Sequence, residues 1–344
     1  MAIAFIRSRR FKKEARALDG DRGSGNLCVF SDAEMPVPDP SETVAVTGSG
    51  LMRRRMIVAF LAPAVGLYTV FLVAPAIQAF YLSLFQTSGF GDQTVWLGLG
   101  NYVKLWSDTV FWRSLYNMAI IMFVGGVFIF GLAFVFTMLL NSGMWGKKLF
   151  RALIFMPNII AVVAITTFWS FVFMPRYGLL TSFLKELGLA SLATTAWTAP
   201  QNVFFSMLVG LVWISTGFFT ILILAGADKI PTDMFEAARL EGASNLQIFT
   251  QITIPMMWDV IIITLVLWAT QAIKMVEFPY AFGGPNIDQN LYTPGIYLYI
   301  MGFGQREPVY ALGYATAIGV VLFVLTVLAI VAIRILLRRD RVEF

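Results

Sequence analysis

The stretch EAARLEGA, which runs from Glu236 to Ala243, is the part of the chain from which the rest is best interpreted. It lies in a polar connection between two long apolar runs, near residues 203–227 and 258–281. Gly242 predicts a bend, because glycine tolerates the left-handed conformation that ends many helices. The stretch therefore predicts two short helices joined by a glycine turn, which together form a small rigid knob.

Residues that flank this stretch have the spacing of helix caps. Asp233 can cap the first helix, with Glu236 three residues further on, and Ser244 with Gln247 has the spacing of a capping box for the second. Pro255 predicts the next helix boundary, because the residue before a proline is disfavoured in a helix.

The composition indicates an integral membrane protein. Of the 344 residues, 58% are hydrophobic and 13% are charged, and the mean hydropathy is +0.76. A soluble domain could not bury that much apolar surface. The net charge of +5 does not indicate nucleic acid, because the basic residues flank the apolar runs.

Several kinds of chemistry are excluded by residues that the sequence lacks. It has no histidine and a single cysteine, Cys28, so we expect no catalytic residue, no metal site and no intrachain disulfide. It also lacks a G-x-x-x-x-G-K-[ST] segment. We therefore expect a protein that is not an enzyme and binds no cofactor, with any nucleotide hydrolysis on a partner.

Six apolar runs are each long enough to cross a bilayer core of about 30 Å. We expect an all-α membrane protein with six transmembrane helices, near residues 56–84, 115–141, 150–175, 203–227, 258–281 and 309–337. Residues 51–344 would form this transmembrane domain. Residues 1–50 are polar and rich in charge, glycine and proline, and we expect a disordered cytoplasmic extension there. Met52 would also serve as a start codon.

The orientation in the membrane follows from the positions of lysine and arginine. With a cytoplasmic amino terminus, twelve basic residues flank the spans on the inside and five lie outside, leaving out the distal tail and Lys274. The positive-inside rule then predicts that both termini are cytoplasmic. It also predicts that the loop at residues 228–257 faces the cytoplasm.

The loop resembles the EAA loop of ABC-importer permeases of the type I, sugar-uptake class. The matching residues are Glu236, Ala237, Ala238, Gly242 and, after Ile254, Pro255. The usual aspartate before the glycine is Glu241 here. In that family the loop docks into a groove on the ATP-hydrolysing subunit, so the resemblance implies coupling helices. An amphipathic connector on the membrane surface is the alternative.

Other segments resemble the same family, and the resemblance extends over about residues 56–340. Gly98-Leu99-Gly100-Asn101-Tyr102 is similar to a segment after the first helix, where Asn101 would cap or turn the chain. Gly283-Gly284-Pro285 is similar to a loop after the fifth helix. A third-helix pattern is similar at Arg151, Pro157, Trp169 and Gly178.

The resemblance implies a permease subunit of an ATP-driven importer in the bacterial inner membrane. Its partners would be a second homologous permease, two ATPase subunits that hold ATP and Mg²⁺, and an extracytoplasmic solute-binding protein. Glu236 would start a coupling helix near the positive end of its dipole or pair with a basic group on the ATPase. Phe249, with Ile252, would be an apolar plug or the packing underside of the loop.

Lys274 and Glu277 are the two charged residues within an apolar run, which makes them candidates for the solute path. Their spacing predicts a shared helix face, where an ion pair is the alternative to solute contact. Polar and aromatic side chains suit the hydroxyls and ring faces of a sugar, whereas helix packing or an interhelical hydrogen bond would explain them equally. The other candidates are Gln271 and Trp268 on the same run, and Asn158 and Trp213 on earlier runs.

Two other functions remain open from the residues alone. A secondary transporter or channel would need no ATPase, but such proteins often show internal repeats, and none is convincing here. A permease for glycerol phosphate, a polyamine or another small polar solute is the second alternative. A phosphate ester would favour arginines in the cavity, and no apolar run has one well inside it, so a neutral sugar or polyol is favoured.

Overall fold

A computed structural model describes residues 49–89, 94–142, 144–304 and 311–338, with side chains from residue 54 onward. The predicted extension at residues 1–50 lies outside the described residues, apart from the first two residues of a helix that begins at Ser49. The chain divides into two compact units, residues 1–65 and 66–344, and each is described by itself.

The described part of the chain is mostly helical, which confirms the predicted all-α class. Two two-residue strands, β1 (Phe85–Gln86) and β2 (Val95–Trp96), pair antiparallel. The helices are α1 Ser49–Tyr68, α2 Ala74–Leu82, α3 Gly100–Ser107, α4 Thr109–Ile120, α5 Gly126–Asn141, α6 Lys147–Phe155, α7 Val162–Val172, α8 Leu179–Glu186, α9 Ala190–Ala193, α10 Val203–Ala227, α11 Thr232–Leu240, α12 Asn245–Ile248, α13 Ile254–Met256, α14 Trp258–Ile273, α15 Glu277–Gly283, α16 Pro294–Phe303 and α17 Leu312–Leu336.

Short turns of other helix types join some of these helices. Turns of π-helix join α1 to α2, α4 to α5 and α12 to α13, at Thr69–Val73, Ile121–Gly125 and Phe249–Thr253. Turns of 3₁₀-helix lie at Met156–Ile159, Gly284–Asn286 and Gln289–Leu291.

Most of the long helices are candidate membrane spans. Among the described residues, four continuous stretches of helix are long and apolar enough to cross a bilayer: Arg54–Leu82, Thr109–Asn141, Val203–Ala227 and Leu312–Leu336. Two further helix pairs, each bent at a short break, pass the same test if each pair is counted as one span. Counted in that way, the described residues contain six candidate spans. The third predicted run is therefore not one continuous helix, and within the fifth run the helix ends at Ile273 and a new one begins at Glu277.

The break in the third run follows from a local change of backbone. The segment Lys147–Ile159 meets Val162–Val172 at an angle of 98°. After the 3₁₀ turn that contains Pro157, Ile160 and Ala161 adopt extended ψ values of 140° and 138°. Because proline lacks an amide hydrogen and the 3₁₀ turn is short, the chain leaves the helix here and changes direction.

The fifth run is preceded by a second bend, and here the predicted boundary at Pro255 is wrong. The residue before it, Ile254, is helical (φ −59°, ψ −50°), and the helix breaks instead at Met257. The turn of π-helix at Phe249–Thr253 directly precedes the proline, and a widened turn of this kind changes the hydrogen-bond ladder that the proline would otherwise interrupt. The two arms meet at 76°.

Helix α10 is the most buried of the four continuous spans. It packs along α5 and also contacts α14, and Met207, Phe219 and Ile223 on it are fully buried. Small residues let other helices approach closely, as is common where membrane helices pack. The segment before the α6–α7 bend contacts the middle of α10, at Ile214 and Gly217, and the loop at residues 228–257 follows its last residue.

Candidate functional site: a short helix pair and a polar cavity

The predicted helix–glycine–helix unit is present. Gly242 has φ +82°, in the left-handed region, directly after α11. Its amide donates to the carbonyl oxygen of Arg239 at 3.0 Å, and the amide of Ala243 donates to that of Ala238 at 3.0 Å. These two bonds form a Schellman closure, so the bend has the geometry that the glycine predicted.

The two predicted caps have different outcomes. Ser244 and Gln247 form a complete capping box, with each side chain accepting from the other residue's backbone amide. The prediction for Asp233 is wrong, because Pro231 is the residue that precedes the first helical position. Asp233 lies inside the first turn of α11, where its carboxylate still favours the positive end of the helix dipole.

The outer face of the helix pair is exposed. Glu236, Ala237 and Gly242 are exposed, and a Cβ atom built on Gly242 would meet nothing within 4 Å. Leu240 is 90% exposed, although it is a large apolar residue in a short polar loop. The sequence analysis missed it, and its position four residues after Glu236, on the same helix face, was the available signal.

The inner face of the loop packs against the helices. Phe249 is 6% exposed and lies 6.3 Å, between ring centroids, from Phe134 of α5. Of the two roles that the sequence left open for Phe249, the geometry is that of a packing underside. Pro255 and Ala238 are partly buried.

An ion pair joins the base of the loop to helix α6. Asp228, the residue that ends α10, accepts from Arg151 Nη2 at 2.9 Å and lies 3.5 Å from Lys147 Nζ. Lys147 and Asp228 line a cavity of ≈ 290 Å³ whose lining also includes Glu236 and Arg239 of α11. The base of the loop therefore carries charges of both signs close together.

A larger cavity of ≈ 570 Å³ lies among the bend after α6, helix α10 and the end of α14. Asn158, Gln271, Lys274 and Glu277, four of the predicted solute-path residues, all line it. Its lining also includes Ser215 and apolar side chains such as Phe218 and Phe278. Three of these four predicted residues come from the fifth run and Asn158 comes from the third, and the fold brings them to one cavity.

Lys274 and Glu277 do not share a helix face, which corrects the sequence analysis. Helix α14 ends at Ile273, with Lys274 as the residue after it (φ −99°, ψ 18°), and Glu277 is the first residue of α15. Both lie at the polar ends of helices. Among the described residues, Lys274 and Glu277 form no ion pair with each other, and both are exposed and line the cavity.

The two predicted tryptophans do not line the cavity. Trp268 is 2% exposed, and its indole nitrogen donates to the carbonyl oxygen of Met122 at 2.9 Å. Trp213 packs edge-on against Trp169 at 5.7 Å between centroids and is 42% exposed. Both have the packing role that the sequence analysis kept as an alternative.

Comparison with known proteins identifies the family. Residues 129–342 match the family described as "Binding-protein-dependent transport system inner membrane component". The chain belongs to this family of membrane transport permeases. The matched residues contain both the short helix pair and the polar cavity, so the permease assignment and the candidate site concern the same part of the molecule.

Relatives and a solved structure agree with the assignment. The permease is 31% identical over 271 residues (78% of this chain, 90% of the relative) to "Probable ABC transporter permease protein YurN" of Bacillus subtilis (strain 168). It is 30% identical over 229 residues (66% and 77%) to "Trehalose/maltose transport system permease protein MalF" of Thermococcus litoralis. A chain of a bacterial alginate ABC transporter, solved with an alginate pentasaccharide-bound periplasmic protein, shares its fold, with a TM-score of 0.71, 20% identity and coverage of 86% and 98%.

A polar cluster at the other end of the permease links three helices. The Asp108 carboxylate caps α4 by accepting from the amides of Val110 and Phe111, and its Oδ2 accepts from Tyr297 and Tyr314 at 2.5 Å each. Burial alone would raise the pKa of Asp108, but the two tyrosine hydroxyls and two amides outweigh it and lower the pKa below its ordinary value. The charge therefore holds α4, α16 and α17 together.

Asn101 also has a role that differs from the prediction. It neither caps a helix nor forms a turn through its side chain. Its Nδ2 donates to the carbonyl oxygens of Ser83 and Phe85, at 2.8 and 2.9 Å, and the residue is 5% exposed. It therefore ties α3 of the permease to the end of α2 and the start of β1.

Proposed function

We propose that this chain is a permease subunit of an ATP-driven importer and lines the translocation path for a sugar or another neutral polyol. The cavity beside Asn158 supports the solute class. Amide groups from Asn158 and Gln271 and the hydroxyl of Ser215 offer donors and acceptors among apolar walls, a mixture that suits a ring with many hydroxyls. The names of the trehalose/maltose relative and the alginate transporter agree with a carbohydrate.

A charged solute such as a phosphate ester is less well supported. No arginine lines the ≈ 570 Å³ cavity in the part of the chain that the structure describes, and its two charged residues, Lys274 and Glu277, have opposite signs. Bidentate recognition of phosphate is typical of arginine rather than of a single lysine. The cavity thus favours a solute without net charge.

The helix pair around Gly242 is the proposed contact with the ATPase. Glu236, Ala237 and Leu240 are exposed on one protruding unit, and the capping box and glycine closure hold that unit in one shape. Such a rigid, exposed unit can transmit force, because it does not deform when a partner moves it. Residues 228–257 would then face the cytoplasm, with both termini on the same side.

The complete importer would contain further subunits. We expect two ATPase subunits, which bind the ATP and Mg²⁺, a second homologous permease and an extracytoplasmic solute-binding protein. ATP binding would close the ATPase pair and move the helix pair, which would switch the cavity between inward-facing and outward-facing states. A binding protein is present in the solved alginate complex.

Reconstitution of the complex tests this function. The chain would be tagged, purified with the subunits encoded beside it, and placed in liposomes with ATP inside and the binding protein outside. Uptake of a labelled sugar that needs both ATP and the binding protein is the expected result. Uptake that continues without ATP, driven by an ion gradient, would instead support a secondary transporter.

A further inference from the structure

Two polar contacts hold the segment at residues 147–159, which contains α6 and the following 3₁₀ turn, against helix α10 and the residue that follows it. Near its start, Arg151 Nη2 lies 2.9 Å from Asp228 Oδ2. Near its end, Asn158 Nδ2 donates to the carbonyl oxygen of Ile214 at 3.1 Å. Between these, Gly217 lies against the backbone of Ile154. The segment and α10 therefore have little freedom to slide past one another.

The first of these contacts, the Arg151–Asp228 ion pair, lies beside the proposed coupling helix. Asp228 directly follows α10, and three residues, 229–231, separate it from the start of α11. Asp228 and Lys147 line the same ≈ 290 Å³ cavity as Glu236 and Arg239 of α11. A displacement of α11 would therefore reach Asp228 through a very short connection.

The second contact, the hydrogen bond from Asn158 to Ile214, lies at the proposed solute cavity. Asn158 lines the ≈ 570 Å³ cavity and is seven residues after Arg151 in the same bent segment. Because the segment ends at the 98° bend, its far end forms a wall of the cavity while its near end contacts the base of the loop. One continuous piece of chain thus contacts both proposed functional regions.

Stability alone is a weak explanation for the ion pair. The side chains of Arg151 and Asp228 are each 39% exposed, and exposed pairs contribute about 0–1 kcal/mol. Arg151 Nε is also buried without a hydrogen-bond partner among the described residues, which is an unfavourable arrangement. The ion pair is therefore better explained by the position that it imposes on the two helices.

We propose that the Arg151–Asp228 ion pair is a positioning contact that transmits movement of the coupling helix α11 to the cavity wall at Asn158. This inference rests on the proposed function. Neither residue lines the ≈ 570 Å³ cavity; each acts by keeping the segment at residues 147–159 in register with α10. Without the pair, α11 moves but the cavity wall does not follow.

The test compares two arginine or lysine to glutamine changes on the same helix. R151Q removes the close partner of Asp228, and K148Q is the matched control, because Lys148 carries the same charge on the same helix, is exposed and forms no ion pair among the described residues. Purified complexes in liposomes are assayed for solute uptake and ATP hydrolysis together. We expect R151Q to lower the uptake per ATP hydrolysed about fivefold or more, the usual lower bound of a coupling effect, with K148Q near wild type.

A charge exchange separates pairing from the loss of arginine itself. R151D and D228R alone should each uncouple ATP hydrolysis from uptake. The double variant R151D/D228R should recover most of the wild-type uptake per ATP hydrolysed. The unfolding temperature of each complex is measured alongside. An uptake-to-hydrolysis ratio that stays at the wild-type value in R151Q, a loss of equal size in K148Q, or a double variant with no recovery would overturn the positioning role.

The failure of this inference differs from the failure of the proposed function. If the wild-type complex shows no uptake that depends on ATP, the proposed function is wrong and the variants carry no weight. If the wild type couples ATP to uptake while R151Q does so equally well, the function stands and only the positioning contact is wrong.

Discussion

Gly217 of α10 faces the backbone of Ile154 so closely that a Cβ atom at position 217 would lie 2.2 Å from the Ile154 carbonyl oxygen. The same Cβ would lie 2.8 Å from Asn158 Nδ2. No real Cβ atom approaches a backbone oxygen so closely, and a backbone atom cannot move aside as a flexible side chain can. The contact therefore requires glycine on α10 at the level where the third span bends.

Replacing Gly217 with alanine should consequently destabilise the permease. Overpacking of this kind usually costs about 1–3 kcal/mol, so we expect a lower unfolding temperature for G217A in detergent. G131A on α5 is the control, because a Cβ there meets nothing within 4 Å and alanine favours a helix by up to about 1 kcal/mol. Equal unfolding temperatures for the two variants would show that the contact is not tight.

The bend at Gly242 should be needed for transport rather than for folding. Aspartate at a position with φ +82° strains the backbone of the turn, so G242D should lower ATP-driven uptake severalfold while the amount of protein in the membrane is maintained. G188D is a matched control, since Gly188 also has a positive φ of +75° and open space around it but lies outside the helix pair. Normal uptake by G242D would remove the coupling role from the loop.

Gln271 should contribute directly to the handling of solute in the cavity. Q271A removes an amide from the ≈ 570 Å³ cavity, and a lost hydrogen bond of about 0.5–1.5 kcal/mol should lower uptake roughly twofold to tenfold. T270A is the neighbouring control, because the Thr270 hydroxyl donates to its own helix at the carbonyl of Val266 and does not line the cavity. The two variants are compared by their initial uptake rates at saturating binding protein, and similar rates would count against solute contact.

The Asp108 cluster should make the stability of the permease depend on acid pH. The pKa of Asp108 is lower in the folded protein than its ordinary value of 3.8, so the stabilisation is complete above that value and is lost as pH falls through the folded-state pKa. D108N keeps a residue that can cap α4 but removes the negative charge that accepts hydrogen bonds from Tyr297 and Tyr314, which should cost about 1 kcal/mol near neutral pH.

Unfolding temperatures of wild type and D108N, followed from neutral pH downward, check this expectation. The difference should be constant down to about pH 5 and should shrink at lower pH, where the wild-type carboxylate is also protonated. D288N is the control, because Asp288 caps the turn at Gln289–Leu291 through the amide of Asn290. A difference that is the same at every pH would mean that the charge of Asp108 does not stabilise the cluster.

Local patterns in the sequence were sufficient for the helix pair and for the membrane spans. Hydropathy depends only on the residues within one run, and the bend at Gly242 and the capping box at Ser244 depend on residues fewer than ten positions apart. Such features form wherever the segment lies, so they could be predicted without knowledge of its neighbours. The predictions for Asp233 and Pro255 were also local, and they failed because other backbone arrangements, a helix that begins at Thr232 and a turn of π-helix, took precedence.

The sequence by itself determined the six apolar runs and the polar helix pair with its capping box. Each of these features is encoded over adjacent or nearly adjacent residues. Only the tertiary structure decided which side chains meet. Arg151 and Asp228 are 77 residues apart, and Asn158 reaches Ile214 across 56. Contacts over such separations depend on which helices become neighbours, and no pattern within one run carries that information.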